Sequence, residues 1–366
     1  MNEHELALSR TNKYLKLLQD EKSKSHKVYM RLLDVLKSGH IEDKVTMADL
    51  LYTAFSELGY MCKGEHSSLD KKEPDVDQDG NLVVHPVKKN KYNKYAKYFE
   101  DLDKNKPMIE RFYDGSKQNE DWCAVFVHWV LFNVLGAEKA RRALNIKKRQ
   151  SHAAGVEYDY WYYLELPQTQ AMLLNHYLVT PGDQAFFCGP KGLFHTGLVV
   201  GVSGKYVYIM EGNTNPQVGD SGKVVPEGKG VCLKRYPIDR MDIEFCRPLY
   251  KGIVPAPKGF PWNEVYKLIE ELYEVLKQEL ESILTEEELY EEEPTKEEVE
   301  KTKLQVYKNK IKVIKSILGI GPEYAGLSAR TIKDLGMNAP SAVKTTPKSV
   351  KKALKDKVGT LKKYKK

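Results

Sequence analysis

Apolar positions recur at helical spacing through residues 2–36, where Leu6, Leu15, Leu18, Leu32, Leu33 and Leu36 punctuate a charged stretch with no proline or glycine before Gly39. That spacing predicts a continuous helical arm at the N-terminus. A second start is written at Thr46-Met-Ala-Asp49, where a hydroxyl and an acid three residues later can each accept from the other's backbone N–H. Leu50, Leu51, Ala54, Phe55 and Leu58 follow, and Gly59 stops the run. A third helix is predicted over residues 121–135, with Ala124, Phe126, Val127, Val130, Leu131 and Val134 on its buried stripe and Gly136 at its end. After the aromatic stretch VEYDYWYYLEL the period changes. Residues 183–187, 196–202, 206–211 and 231–236 read as short strands, and helices followed by clustered strands predict an α+β domain that closes near Arg247-Pro-Leu-Tyr250.

Beyond this domain, a proline-rich connector, PAPKGFP, precedes two more amphipathic segments. Val265, Leu268, Ile269, Leu272, Leu276, Leu280 and Ile283 mark one, and Val306, Ile311, Ile314, Ile317 and Leu318 mark the other, before Gly319 and Gly321. A helical hairpin is the expected arrangement. The predicted organisation is an arm over 1–44, a main domain over 45–250, a linker over 251–262, a helical region over 263–338 and a lysine-rich, flexible tail over 339–366.

Charge changes this picture at the ends. The chain of 366 residues carries a formal net charge of +7, with 41% hydrophobic and 30% charged residues, which suits a folded, water-exposed protein. Ten lysines and one acid fill residues 344–366, whereas residues 286–300 are mostly glutamate. The basic tail is expected to be solvated, or to hold anionic polymers by charge alone; nothing points to specific nucleic-acid recognition. No apolar run reaches the roughly 18 residues of a membrane span, and the N-terminus lacks the basic start, apolar middle and small-residue site of a signal peptide. DVDQDGN at 75–81 places Asp75, Asp77 and Asp79 as the start of a calcium loop does, but Pro86 stands where the bidentate glutamate belongs. An Asp/Gly turn is the plainer expectation there, and no cofactor is required by any other motif.

Five cysteines, widely spaced and without a C-x-x-C pair, exclude a disulfide framework or a zinc ribbon. Cys123 is the one set at a predicted helix start, directly after Trp122. A helix N-terminus stabilises a thiolate, so Cys123 is a candidate nucleophile as well as a candidate core residue. A thiol nucleophile needs a base and the base needs an orienting partner. Of nine histidines, His128 lies five residues along the same helix, too far round to face the thiol, whereas His195 opens the strand HTGLVVGV. The following run, YVYIMEGNTN, reads as its hairpin partner. If paired positions sum to 408, from a three-residue turn over 203–205, His195 lies opposite Asn213 with Glu211 one step along the same face. A sum of 407, from a two-residue turn, points both groups away. The backbone N–H of Cys123 is the expected first oxyanion donor, and Gln118 a positional candidate for the second.

Taken in order, DWCAVFVHWV, TPGDQAFFC, FHTGLVVGVSGKYVYIMEGNTN and CRPLY resemble the CHAP family of cysteine, histidine-dependent amidohydrolases and peptidases, relatives of papain-like and NlpC/P60 peptidoglycan hydrolases. The resemblance covers residues 45–250. It implies a papain-like fold, with N-terminal helices on an antiparallel sheet, and cleavage of peptidoglycan amide bonds, either between muramic acid and L-alanine or within the stem peptide or cross-bridge. Position by position it implies Cys123 as nucleophile, His195 as base, and Glu211 and Asn213 as the acidic and amide partners. Residues 71–89 depart from the family as an insertion, and His128 stands where similar sequences often have an acid. With no signal peptide, the resemblance implies a phage or prophage protein, either a virion or tail-associated lysin or an endolysin, found in the particle or the host cytoplasm before it meets the wall. The terminal helices would then contact other tail proteins. The competing expectation is a phage structural or assembly protein whose CHAP-like domain is idle.

Overall fold

The computed structural model describes residues 3–65, 67–72, 91–146, 152, 154–164, 176–218, 228–289 and 294–317. Asp75, Asp77 and Asp79, most of the insertion at 71–89 and the lysine-rich tail lie outside the described residues. The described residues up to Asn309 form one compact unit and those from Lys310 belong to a second, so the boundaries expected at 44/45 and 251–262 fall inside the first.

The N-terminal segment is two helices, where one was expected: α1 (Glu3–Gln19) and α2 (Lys24–Lys37). Ser23 breaks the run because its side chain accepts from the His26 N–H and caps α2. A carboxylate far along the chain completes that cap, since Glu279 accepts from the N–H groups of Lys24 at 2.9 Å and Ser25 at 3.0 Å and from the Ser25 hydroxyl at 2.6 Å. Glu279 belongs to the 22-residue helix α8 (Trp262–Ile283). Helices α1 and α2 therefore pack on α8 rather than extending as an arm.

Thr46 and Asp49 form the expected capping box at the start of α3 (Met47–Ser56). Four further helices follow in the described residues before the C-terminal part: α4 (Lys94–Asp103), capped by Asn93, then α5 (Cys123–Leu135), α6 (Ala137–Ala143) and α7 (Val156–Leu164), with the 3-10 turn Met108–Glu110 between α4 and α5. Helix α5 is buried on nearly every side, and Tyr95, Phe99, Phe112 and Tyr113 pack around it. After α8 come α9 (Glu286–Leu289) and α10 (Lys296–Ile317).

Strands β1 (Val45–Thr46) and β7 (Ile253–Val254) make a small parallel pair that joins the two ends of the main domain. The principal sheet is antiparallel, in the order β5-β4-β3-β2-β6, from β2 (Gln184–Gly189), β3 (Gly192–Ser203), β4 (Tyr206–Thr214), β5 (Gly230–Pro237) and β6 (Ile243–Cys246). Four of these match the expected strand runs, while β6 was not foreseen because four residues are too few to show a period. One sheet face packs on α5, α7 and α8. The other carries Phe187, Val199, Val207, Ile209, Tyr236 and Phe245 in a second apolar cluster. The architecture is thus α+β, helices against an antiparallel sheet, and no helix among the described residues is long and apolar enough to cross a membrane.

Candidate active site

Helix α5 starts at Cys123 with Trp122 as N-cap, a residue whose side chain makes no capping bond. The first-turn N–H groups therefore have no internal partner and present partial positive charge where the thiol sits. Trp122 is fully buried, its ring 5.4 Å from Tyr95 and 6.3 Å from Tyr60 by centroids, so it anchors the helix start and does not wall a groove. Its indole Nε1 has no hydrogen-bond partner among the described residues.

The hairpin that supplies the base reaches the required register by an unexpected route. The turn at Gly204 and Lys205 has two residues, and pairs Ser203–Tyr206, Val202–Val207 and Gly201–Tyr208 share the odd sum 409. A β-bulge at Val200 then removes one step, so that Val199 pairs with Ile209 and Leu198 with Met210 at the even sum 408. The β3–β4 ladder ends at that pair, and its even sum puts Glu211 on the same sheet face as His195, whereas Asn213 lies past it where β4 becomes irregular and is not paired with His195 in the ladder. Without the bulge His195 would face Thr214, and its partners would point to the other side of the sheet.

Glu211 is the group that holds the imidazole: His195 Nε2 donates to Glu211 Oε2 at 2.8 Å, with both side chains fully buried. That bond leaves Nδ1 as the acceptor, and Nδ1 makes no conventional hydrogen bond among the described residues. Cys123 is close enough to His195 for its side chain to favour the charged imidazole. Burial pulls the imidazole toward its neutral form, but the Glu211 charge and the Cys123 contact outweigh it and raise the His195 pKa to about 9. Burial pushes the Glu211 carboxyl up, and the Lys234 ammonium at 3.8 Å, the imidazole and the Tyr236 hydroxyl at 2.8 Å together hold it below its usual range.

Asn213 has a different task from the one expected. Its Nδ2 donates to Asp121 Oδ1 at 3.0 Å, an oxygen also bonded by the Lys91 ammonium. It thereby ties the end of β4 to the residue two before the nucleophile, in a left-handed conformation (φ 57°) that asparagine tolerates. Gln118 is corrected outright as an oxyanion donor: its Oε1 accepts from the Asn93 N–H at 2.9 Å and its Nε2 donates to the Asn93 carbonyl at 3.0 Å. His128 is buried on α5 between the Tyr113 hydroxyl at 2.9 Å and Asp159 at 3.1 Å.

Two glycines missed by residue chemistry shape the site. A Cβ at Gly197 would stand 2.8 Å from Glu211 Cγ and 2.6 Å from Ile209 Cγ2, so the glycine of HTG leaves room for the carboxylate to reach His195. A Cβ at Gly212 would stand 2.6 Å from Phe126 Cβ and 2.8 Å from Trp122 Cζ3, so the glycine of EGN lets α5 close onto β4. Tyr236 and Lys234 were missed as well, since only strand pairing brings β5 beside Glu211.

A cleft of about 540 Å³ opens beside the helix start, lined by Lys91, Lys117, Asn119, Glu120, Asp121 and Tyr158 among others. No group of three or more metal-ligating side chains occurs among the described residues. Comparison with known proteins returns no matching family model, curated protein or solved structure.

Proposed function

We propose that this chain is a cysteine-dependent amidohydrolase of the CHAP, papain-like type that cleaves amide bonds of bacterial peptidoglycan. The observation that carries the reading is the buried chain from Cys123 to His195 to Glu211, three groups of complementary chemistry brought together from α5, β3 and β4. His195 Nδ1 accepts the Sγ proton, and the thiolate attacks the substrate carbonyl carbon. The main-chain N–H of Cys123 faces the developing oxyanion, a contact type worth roughly 3–4 kcal/mol of barrier. The tetrahedral adduct collapses as the C–N bond breaks and His195 returns its proton to the leaving amine, leaving a thioester. Water then adds, with His195 taking its proton, and the carboxylic acid and the thiol are released. Glu211 holds the imidazole tautomer throughout, and the Asn213–Asp121 bond keeps strand and helix start in register.

Peptidoglycan is the proposed substrate because the motifs around these residues resemble those of wall hydrolases, and the mixed-charge cleft beside Asp121 suits a peptide that carries both carboxylates and amines. A virion or tail-associated lysin or an endolysin is the proposed setting. The test is solubilisation of purified Gram-positive and Gram-negative walls by the wild type and by Cys123→Ala, with mass spectrometry of the released ends to separate amidase from endopeptidase. A wild type that digests neither wall, or a variant that digests as well, defeats the proposal. One observation favours the idle-scaffold reading: Cys123 is only 3% exposed and His195 not at all. The same assay decides between them.

A further inference from the structure

Lys234 is a lysine buried to 1% exposure on the inner face of β5, paired across the ladder with Ile209 and next to the Glu211–Cys232 pair. A lysine is almost never buried fully unless a counter-charge holds it. Its ammonium lies 3.8 Å from Glu211 Oε2, the same oxygen that accepts the His195 bond at 2.8 Å, while Tyr236 occupies Oε1. The ionisable groups whose charges reach this carboxylate are His195 from β3, Cys232, Lys234 and Tyr236 from β5, and Arg240, while Cys123 from α5 acts on the imidazole. Arg240, just past β5, is held by Asp242 at 2.6 and 2.9 Å.

We propose that Lys234 is a positioning residue for the proposed hydrolase, supplying the positive charge that lets a thiolate and an ionised Glu211 coexist in one buried site. The inference rests on the Cys123–His195 reading above. Its basis is a charge count. With a neutral thiol and neutral imidazole, Lys234 and Glu211 cancel. When the proton passes from Cys123 Sγ to His195 Nδ1, thiolate and imidazolium cancel as well, so the cluster is neutral before and after the transfer. Without the ammonium one excess negative charge remains, which the Cys123–His195 pair relieves by keeping an extra proton over a wider pH range. Without Glu211 the excess is positive and the pair gives up its proton sooner.

The experiment follows iodoacetamide alkylation of the full chain against pH, with the Cys123 peptide quantified by mass spectrometry. The midpoint belongs to the Cys123–His195 pair and not to either group alone. Lys234→Met is expected to move it up by about one pH unit, roughly a tenfold loss of alkylation rate at neutral pH. Lys234→Arg keeps the wild-type midpoint, Glu211→Gln moves it down, and the double variant K234M/E211Q returns it close to wild type. If Lys234→Met alone does not fold, comparing Glu211→Gln with the double variant reads the same effect with the same sign. Midpoints that Lys234→Met leaves unmoved in both backgrounds overturn the proposal. A wild type in which Cys123 is alkylated no faster than Cys62 or Cys188 sinks the nucleophile reading itself instead.

Discussion

Replacing Gly212 with alanine tests how closely α5 must approach β4 for the site to exist. The new Cβ would meet Phe126 Cβ at 2.6 Å, Trp122 Cζ3 at 2.8 Å and Phe126 Cγ at 2.9 Å, against ordinary contacts that begin at 3.4 Å. Helix and strand must separate by about 0.4 Å to leave the forbidden range below 3.0 Å and by about 0.8 Å to regain ordinary contact at 3.4 Å, because neither a Cβ nor a fully buried indole can swing aside. Overpacking of this kind costs about 1–3 kcal/mol. In a unit of this size that lowers the melting temperature by roughly 2–5 °C. The functional loss should be larger in proportion, since α5 carries Cys123 and β4 carries Glu211 and Asn213, and a misplacement of about 1 Å costs on the order of a hundredfold in rate. Differential scanning calorimetry and the Cys123 alkylation rate measure the two effects. Gly115→Ala is the control, because a Cβ there meets nothing within 4 Å. A Gly212→Ala protein with wild-type melting temperature and wild-type alkylation would refute the reasoning.

Three further predictions concern charge and capping. His195 has its pKa raised from 6.5 to about 9, so its contribution to stability is complete below pH 6.5 and fades as pH rises through about 9; Tm against pH should show this alkaline loss in the wild type and not in His195→Gln. The Glu211 carboxyl is held low, so its contribution is present above its ordinary value and fades as pH falls through the depressed one, a loss in acid that Glu211→Gln removes from the Tm profile. Glu279→Ala removes three hydrogen bonds from the N-terminus of α2 and should cost about 1 kcal/mol, read by chemical denaturation, with catalytic rate unchanged because α2 does not touch the site.

How far the sequence led can be seen at individual residues. The capping box at Thr46 and the stop at Gly136 are local chemistry, and both occur where the spacing put them. The His195–Glu211 partnership was legible as a question of parity, but the sequence could not show how the parity arises. A bulge at Val200 leaves no mark in a run as uniform as GLVVGV, so the sequence offers only a choice between a two-residue and a three-residue turn, whereas the molecule combines a two-residue turn with a bulge. Asn213 is placed by the hairpin register and Gln118 by its position ahead of the helix, and in the structure both amides hold main elements together, one through Asp121 and the other through Asn93. The N-terminal helices read as an arm because the partner that buries their apolar stripe, α8, lies more than two hundred residues away. Lys234 was invisible for the same reason: a lone lysine in a strand is usually solvated, and only the ladder of β4 with β5 reveals that this one faces a buried carboxylate.

The central claim is that Cys123, alone among five free and buried cysteines, is a reagent. Wall-solubilising activity measured against the fraction of Cys123 labelled by iodoacetamide tests it most directly. Cys123 is expected to be labelled first, and activity to fall in proportion to its labelling. Activity that persists when Cys123 is fully labelled would contradict it.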